Sequence, residues 1–224
     1  MTKFQIVFLM TLWFTQGFSA VSAQETTSVD ALTVTVLDSN QQPLALAVVS
    51  VNGVELATSE QPTAIMDQVD RLFVPYILAV RENAQVAFPN RDNIRHQVYS
   101  FSEVKPFELP LYSNREAPEI QFENSGIVVL GCNIHDHMQA YIYVSPHDLS
   151  RQTNAQGTVT LPLGATQVHV WYPSLTDVVT EEMVVPIVAG QKQLTVTLPV
   201  QAQHQSPPPA SALQQRFNRR KNNN

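Results

Sequence analysis

Short segments in which β-branched and other apolar residues alternate with polar ones recur along the whole chain. The clearest are Leu32 to Leu37, Ala47 to Val51, Phe73 to Val80, Gln85 to Phe88, His96 to Phe101, Gly126 to Leu130 and Ala140 to Val144. Gly157 to Leu161, Gln167 to Tyr172, Glu182 to Ile187 and Gln193 to Leu198 continue the series. Turn-forming clusters stand between them: Ser39 to Pro43, Asn52-Gly53, Pro89 to Asn93 and Asn154 to Gly157. No stretch carries a helical period with caps at both ends. Many short strands at this spacing predict an all-β chain of sandwich or barrel type.

The two ends read differently from this middle. Lys3, the apolar run Ile6 to Phe14 and the small-residue exit Val21-Ser22-Ala23 have the order of a secretory signal, so residues 1–23 are expected to be removed. A buried helix or a retained anchor is the blander alternative. Gln201 to Asn224 carries three consecutive prolines at 207–209, then Gln, Arg, Lys and Asn around Phe217, a composition expected to form a disordered tail. No apolar run reaches the roughly 20 residues of a spanning helix, so the chain is not expected to span a membrane. A net charge of −6 argues against a nucleic-acid partner held through its phosphates. Export, most plainly to the periplasm, changes the meaning of the one cysteine, because an unpaired thiol in an oxidising compartment is used, buried or cross-linked.

That cysteine lies in Gly131-Cys132-Asn133-Ile134-His135-Asp136-His137-Met138, and of the six histidines none precedes His96. One thiolate and two imidazoles with a weak axial thioether suit copper in an electron-transfer site. Cys132, His135 and Met138 fit one tight loop between two strands, and His96, after the polar turn Pro89 to Asn93, is the candidate fourth ligand. Cys-x2-His-x2-Met by itself is a weak pattern. A free cysteine is often a small buried apolar residue, and Met138 ahead of Ala140-Tyr141-Ile142 reads equally as core. His137 is expected to face solvent, and His147, His169 and His204 fall outside the pattern.

With those residues in view, the chain resembles the cupredoxins, the plastocyanin, pseudoazurin and amicyanin family of blue copper proteins. Cys132-x2-His135-x2-Met138 is the short loop that amicyanin uses. Met66-Asp67-Gln68, Phe73-Val74-Pro75 and Phe88-Pro89-Asn90, together with Cys132 to His135, are similar to exported plastocyanin-like proteins labelled methylamine utilisation proteins. The resemblance covers about residues 65–145 and implies a Greek-key β-sandwich over about 64–145 with one copper ion on His96, Cys132, His135 and Met138. Gln97 stands where many members carry Asn, so a brace between the two ligand loops is expected to be weaker. Leu32 to Val51 and Asn154 to Tyr172 resemble pieces of a transthyretin-like, carboxypeptidase-regulatory-type sandwich. Residues 30–60 and 146–200 would then form a smaller, discontinuous β-sandwich around the first. Alternatively, Leu32 to Leu37 supplies the first cupredoxin strand and the chain is one extended domain.

Function follows as an expectation. The resemblance implies a one-electron carrier that meets a redox partner protein, a dehydrogenase, cytochrome or oxidase. A periplasmic copper-binding and delivery module is the alternative, motivated by Asp136 and His137 beside the site. Catalysis is not expected, since four protein ligands leave no open position and no nucleophile or paired-carboxylate signature stands out.

Overall fold

The computed structural model describes residues 31–54, 62–113, 118–203 and 205–206; the expected signal segment and most of the expected tail lie outside them. Strands β1 (Ala31–Leu37), β2 (Val48–Val51), β3 (Ala64–Ile65), β4 (Asp67–Val69), β5 (Leu72–Val74), β6 (Ile77–Arg81), β7 (Ala84–Ala87), β8 (Tyr99–Ser100) and β9 (Phe107–Glu108) come first. They are followed by β10 (Glu119–Phe122), β11 (Gly126–Gly131), β12 (Gln139–Ser145), β13 (Leu149–Gln152), β14 (Thr158–Pro162), β15 (Gln167–Trp171), β16 (Met183–Pro186) and β17 (Gln193–Thr197). The fold is all-β.

Pairing separates the outer strands from the inner ones. β14-β1-β17 and β13-β2-β15-β16 form two sheets made only of residues before 52 and after 148. β6-β12-β11-β8-β9, β10-β7-β3 and the hairpin β4-β5 are built from residues between 64 and 145. β1 is held by β14 on one side and runs parallel to β17 on the other, so it adds no strand to the inner sheets. Its alternation, Leu32, Val34 and Val36 inward, supplies one wall of the outer core.

Strands β6, β11 and β12 of the five-stranded sheet form a shared wall, with side chains in a core on each face. Along β12, Ala140, Ile142 and Val144 enter an inner core with Val86, Phe88 and Phe122. Tyr141 and Tyr143 point the other way, against an outer core containing Trp171. β11 divides in the same way, Val128 and Leu130 to one side and Ile127 and Val129 to the other. A strand with apolar residues at every position is what burial on two faces requires. Trp171, 1% exposed, lies between Tyr143 and Tyr141 at ring-centroid distances of 5.5 and 5.9 Å and donates its indole N–H to the Val179 carbonyl.

Three local differences from the sequence expectation have physical causes. The apolar run from Phe73 is two strands, β5 and β6, broken at Pro75, which has no N–H to give a ladder. Of His96 to Phe101 only Tyr99–Ser100 is strand, and His96 is held by an isolated bridge to Tyr112. The expected tail does not begin at Gln201: Ala202 packs on the outer core, Gln203 N–H donates to the Tyr172 hydroxyl, and Gln205 donates to the Gln139 carbonyl. The polar composition after 200 hid these side-chain anchors.

Candidate metal centre

The loop from Cys132 to Met138 is fixed by two successive tight turns. The His135 amide reaches the Cys132 carbonyl at 3.3 Å, and the Met138 amide reaches the His135 carbonyl at 2.9 Å. β11 and β12, paired in register from Gly126↔Val144 to Gly131↔Gln139, clamp both ends. A Cβ at Gly131 would lie 2.5 Å from Cζ of Tyr99, so any larger residue there has to displace that ring.

His96 arrives from a different part of the chain and is completely buried. Its main chain exchanges hydrogen bonds with Tyr112 at 3.0 and 3.1 Å. Its ring is set by Asp92, whose Oδ2 lies 2.7 Å from His96 Nε2. Asp92 is positioned in turn by the amides of Asp70 and Arg71, at 2.8 and 2.9 Å, and by Asn90, whose Oδ1 accepts the Asp92 N–H. Asn90 also donates to the Ile94 and Tyr112 carbonyls. Gln68 ties the same turn from below through the Pro89 carbonyl and the Tyr112 hydroxyl. The residues that carried the family resemblance, Gln68 and Asn90 among them, therefore build the scaffold under His96.

A donor group results. His96, Cys132 and His135 bring one ligand atom each to within 4.8 Å of one another. Cys132 Sγ is 3.8 Å from His135 Nδ1, and the rings of His96 and His135 lie 5.0 Å apart. In a neutral His96 ring that donates to Asp92 through Nε2, Nδ1 carries the lone pair. That atom is buried and has no hydrogen-bond partner among the described residues. A buried acceptor without a donor costs about 1–3 kcal/mol, and a cation supplied beside it removes the cost. Burial first, then the neighbouring His96, His137 and Arg71, hold His135 below its ordinary pKa, in the neutral form a metal needs. Burial pushes the Asp92 carboxyl up, but the Arg71 amide, the His96 ring and the Asp70 amide outweigh it and keep the carboxyl below its usual range. The side chains present thus fit a soft or borderline cation.

Met138 is 1% exposed and shares the inner core with Cys132. Both line a cleft of about 380 Å³ whose outer wall is Phe101 and Asp136. His137 is outside the donor group; its Nε2 faces the Arg71 carbonyl at 3.0 Å. Gln97 makes no tie to the cysteine loop: its amide donates to Glu108 on β9 at 2.5 Å. Asp92 was not legible as a site residue, although a carboxylate four positions before a candidate ligand histidine is a usable signal.

No family model and no curated protein matches the sequence. Solved structures align to part of it. A copper-containing nitrite reductase from Thermus scotoductus SA-01 aligns at 24% identity and TM-score 0.37, over 42% of this chain and 25% of that one, about a quarter of the reductase's length. A point mutant of amicyanin in its reduced Cu(I) form aligns at 19% identity and TM-score 0.36, over 39% of this chain and 86% of that one. A purple cupredoxin from Nitrosopumilus maritimus aligns at 20% identity and TM-score 0.33, over 36% and 96%. At these scores the likenesses carry no weight of their own, and the metal reading stands on the side chains described above.

Proposed function

We propose that this chain is an exported mononuclear copper protein of type 1 character that carries single electrons. The observation that carries the reading is the buried Nδ1 of His96, without a hydrogen-bond partner among the described residues, in a ring that groups with Cys132 and His135. His96, Cys132 and His135 would hold the copper, with the Met138 thioether as a fourth donor, and the bound ion would supply a Cu(II)/Cu(I) couple. The protein's part is rigidity. Cys132 and Met138 are core residues, His96 is locked by Asp92 and Tyr112, and the loop is closed by its own turns. Ligands that cannot move keep reorganisation small.

Access is provided beside the ligand loop. His135 is half-buried, and the neighbouring Ile134 is 50% exposed. Phe101, 81% exposed, stands on the rim of the cleft beside Cys132 and Met138. Exposed apolar side chains beside the ligand loop suit brief docking of a redox partner protein, a dehydrogenase, cytochrome or oxidase of the periplasm. The reading assigns no catalytic step to this centre. Cyclic voltammetry of the copper-loaded protein tests it. A reversible one-electron wave that persists over repeated scans is expected. Release of copper on reduction, or an irreversible wave, would move the reading to copper delivery.

A further inference from the structure

Three side chains far apart in sequence meet beyond the end of β12 away from the cysteine loop. His147 lies in the turn after β12, His169 on β15, and Glu182 just before β16. Glu182 Oε2 is 2.9 Å from His147 Nε2 and 3.1 Å from His169 Nδ1. The two rings lie 4.1 Å apart, tilted by 37°. All three side chains are largely withdrawn from water, with 8%, 14% and 16% of their surfaces exposed. The buried Tyr143 hydroxyl donates to the other carboxylate oxygen, Oε1, and fixes its plane.

We propose that His147 Nε2, His169 Nδ1 and Glu182 form a second metal site, for a divalent ion of the zinc type. The donor set is two imidazoles and one carboxylate, which with a water or an external ligand completes four-coordination. Donor atoms on a tetrahedral ion with bonds of about 2.0–2.1 Å stand ~3.3 Å apart. The present separations of 2.9 and 3.1 Å need to open by only a few tenths of an ångström. Each ring shifts its proton from the inner to the outer nitrogen on binding, so the outer N–H needs an acceptor. Side-chain amides already stand there, Asn52 at 3.1 Å from His147 Nδ1 and Gln167 at 3.0 Å from His169 Nε2. A turned carboxamide offers its oxygen to a metal-bound histidine's N–H, the usual way such rings are oriented. For Asn52 the turn gives up the bond its oxygen accepts from the Asp148 amide, at an exposed position where water replaces it. The competing description is a closed hydrogen-bond knot that binds nothing.

The site is independent of the copper reading. Met138 and His147 are at opposite ends of β12, and nine extended residues span up to ~30 Å. The test uses the purified chain carrying His96→Ala and Cys132→Ala, so that the first donor group is disabled, titrated with Zn²⁺ by calorimetry. One equivalent is expected to bind with a Kd of about 1 μM or tighter. Glu182→Gln and His169→Gln, each added to that background, are expected to weaken it roughly 100-fold. Metal-free melting curves identify which of the two variants folds like the background. Absence of a stoichiometric Zn²⁺ in the background overturns the proposal. So does unchanged affinity in a folded Glu182→Gln or His169→Gln variant. A failed copper reading would leave this titration unaffected.

Discussion

Replacing Asp92 by alanine removes the side chain that orients the His96 ring. Three donors lose their acceptor: the amides of Asp70 and Arg71, and Nε2 of His96. The Asp70 amide is exposed and the Arg71 amide only partly buried, so water replaces most of what they lose. The His96 side chain is 0% exposed, and its N–H has no such recourse. An unmet buried donor costs about 1–3 kcal/mol, which sets the expected loss in the metal-free protein at about 2 kcal/mol. The second effect is on the ligand itself. Without Asp92 nothing selects the tautomer that leaves Nδ1 free, and loss of such an orienting group lowers metal affinity about 10–100-fold. That factor corresponds to about 1.4–2.7 kcal/mol. Urea melts of the metal-free protein read the first number, and competition with a copper chelator reads the second. If Asp92→Ala leaves both the urea midpoint and the copper affinity unchanged, the assignment of His96 Nδ1 as a prepared ligand atom is wrong.

Trp171→Ala, which empties the contact between Tyr141 and Tyr143, is expected to cost about 3–5 kcal/mol and to lower the melting temperature sharply; a shift of only a degree or two would mean that the two cores are not coupled there. Gly131→Ala puts a methyl group into the Tyr99 ring and is expected to disturb the copper spectrum while leaving the outer core intact, as judged by tryptophan fluorescence. Acid should destabilise the metal-free protein in two stages. His135 and His169 are held below their ordinary value chiefly by burial, so their contribution is full above pH ~6.5 and is lost as pH falls through their lowered folded values. Asp92 and Glu182 resist burial through the hydrogen bonds they accept; their contribution is full above the ordinary carboxylate range and disappears as pH falls through their depressed folded values. Urea midpoints measured from pH 7.5 down to 3 should decline monotonically, and a midpoint that rises on acidification would contradict these directions.

What the sequence discloses here depends on how local the information is. Cys132 and His135 are legible as a pair because one loop carries both, and the structure groups them with His96. The strands with regular alternation, such as β1 and β17, are legible for the same reason. β10 and β13 are not, since Glu-Ile-Gln-Phe and Leu-Ser-Arg-Gln present too few apolar residues to show a period. Their pairing comes from β7 and β2, which are distant in the chain. His96 is a harder case, because an extended-looking segment turns out to be held by a bridge to Tyr112 and by Asp92 rather than by a ladder. The cluster of His147, His169 and Glu182 has no sequence spacing to announce it; only the folding of β15 beside β2, and of the turn after β12 beside both, makes it one place.

Cys132 is proposed as the thiolate that binds copper, and Cu(II) titration followed by visible absorption and EPR tests this most directly. The expected result is one copper per chain, an intense thiolate-to-copper charge-transfer band and a narrow copper hyperfine splitting, all three lost in Cys132→Ala. Copper bound without that band, or a band that survives removal of the cysteine, would contradict it.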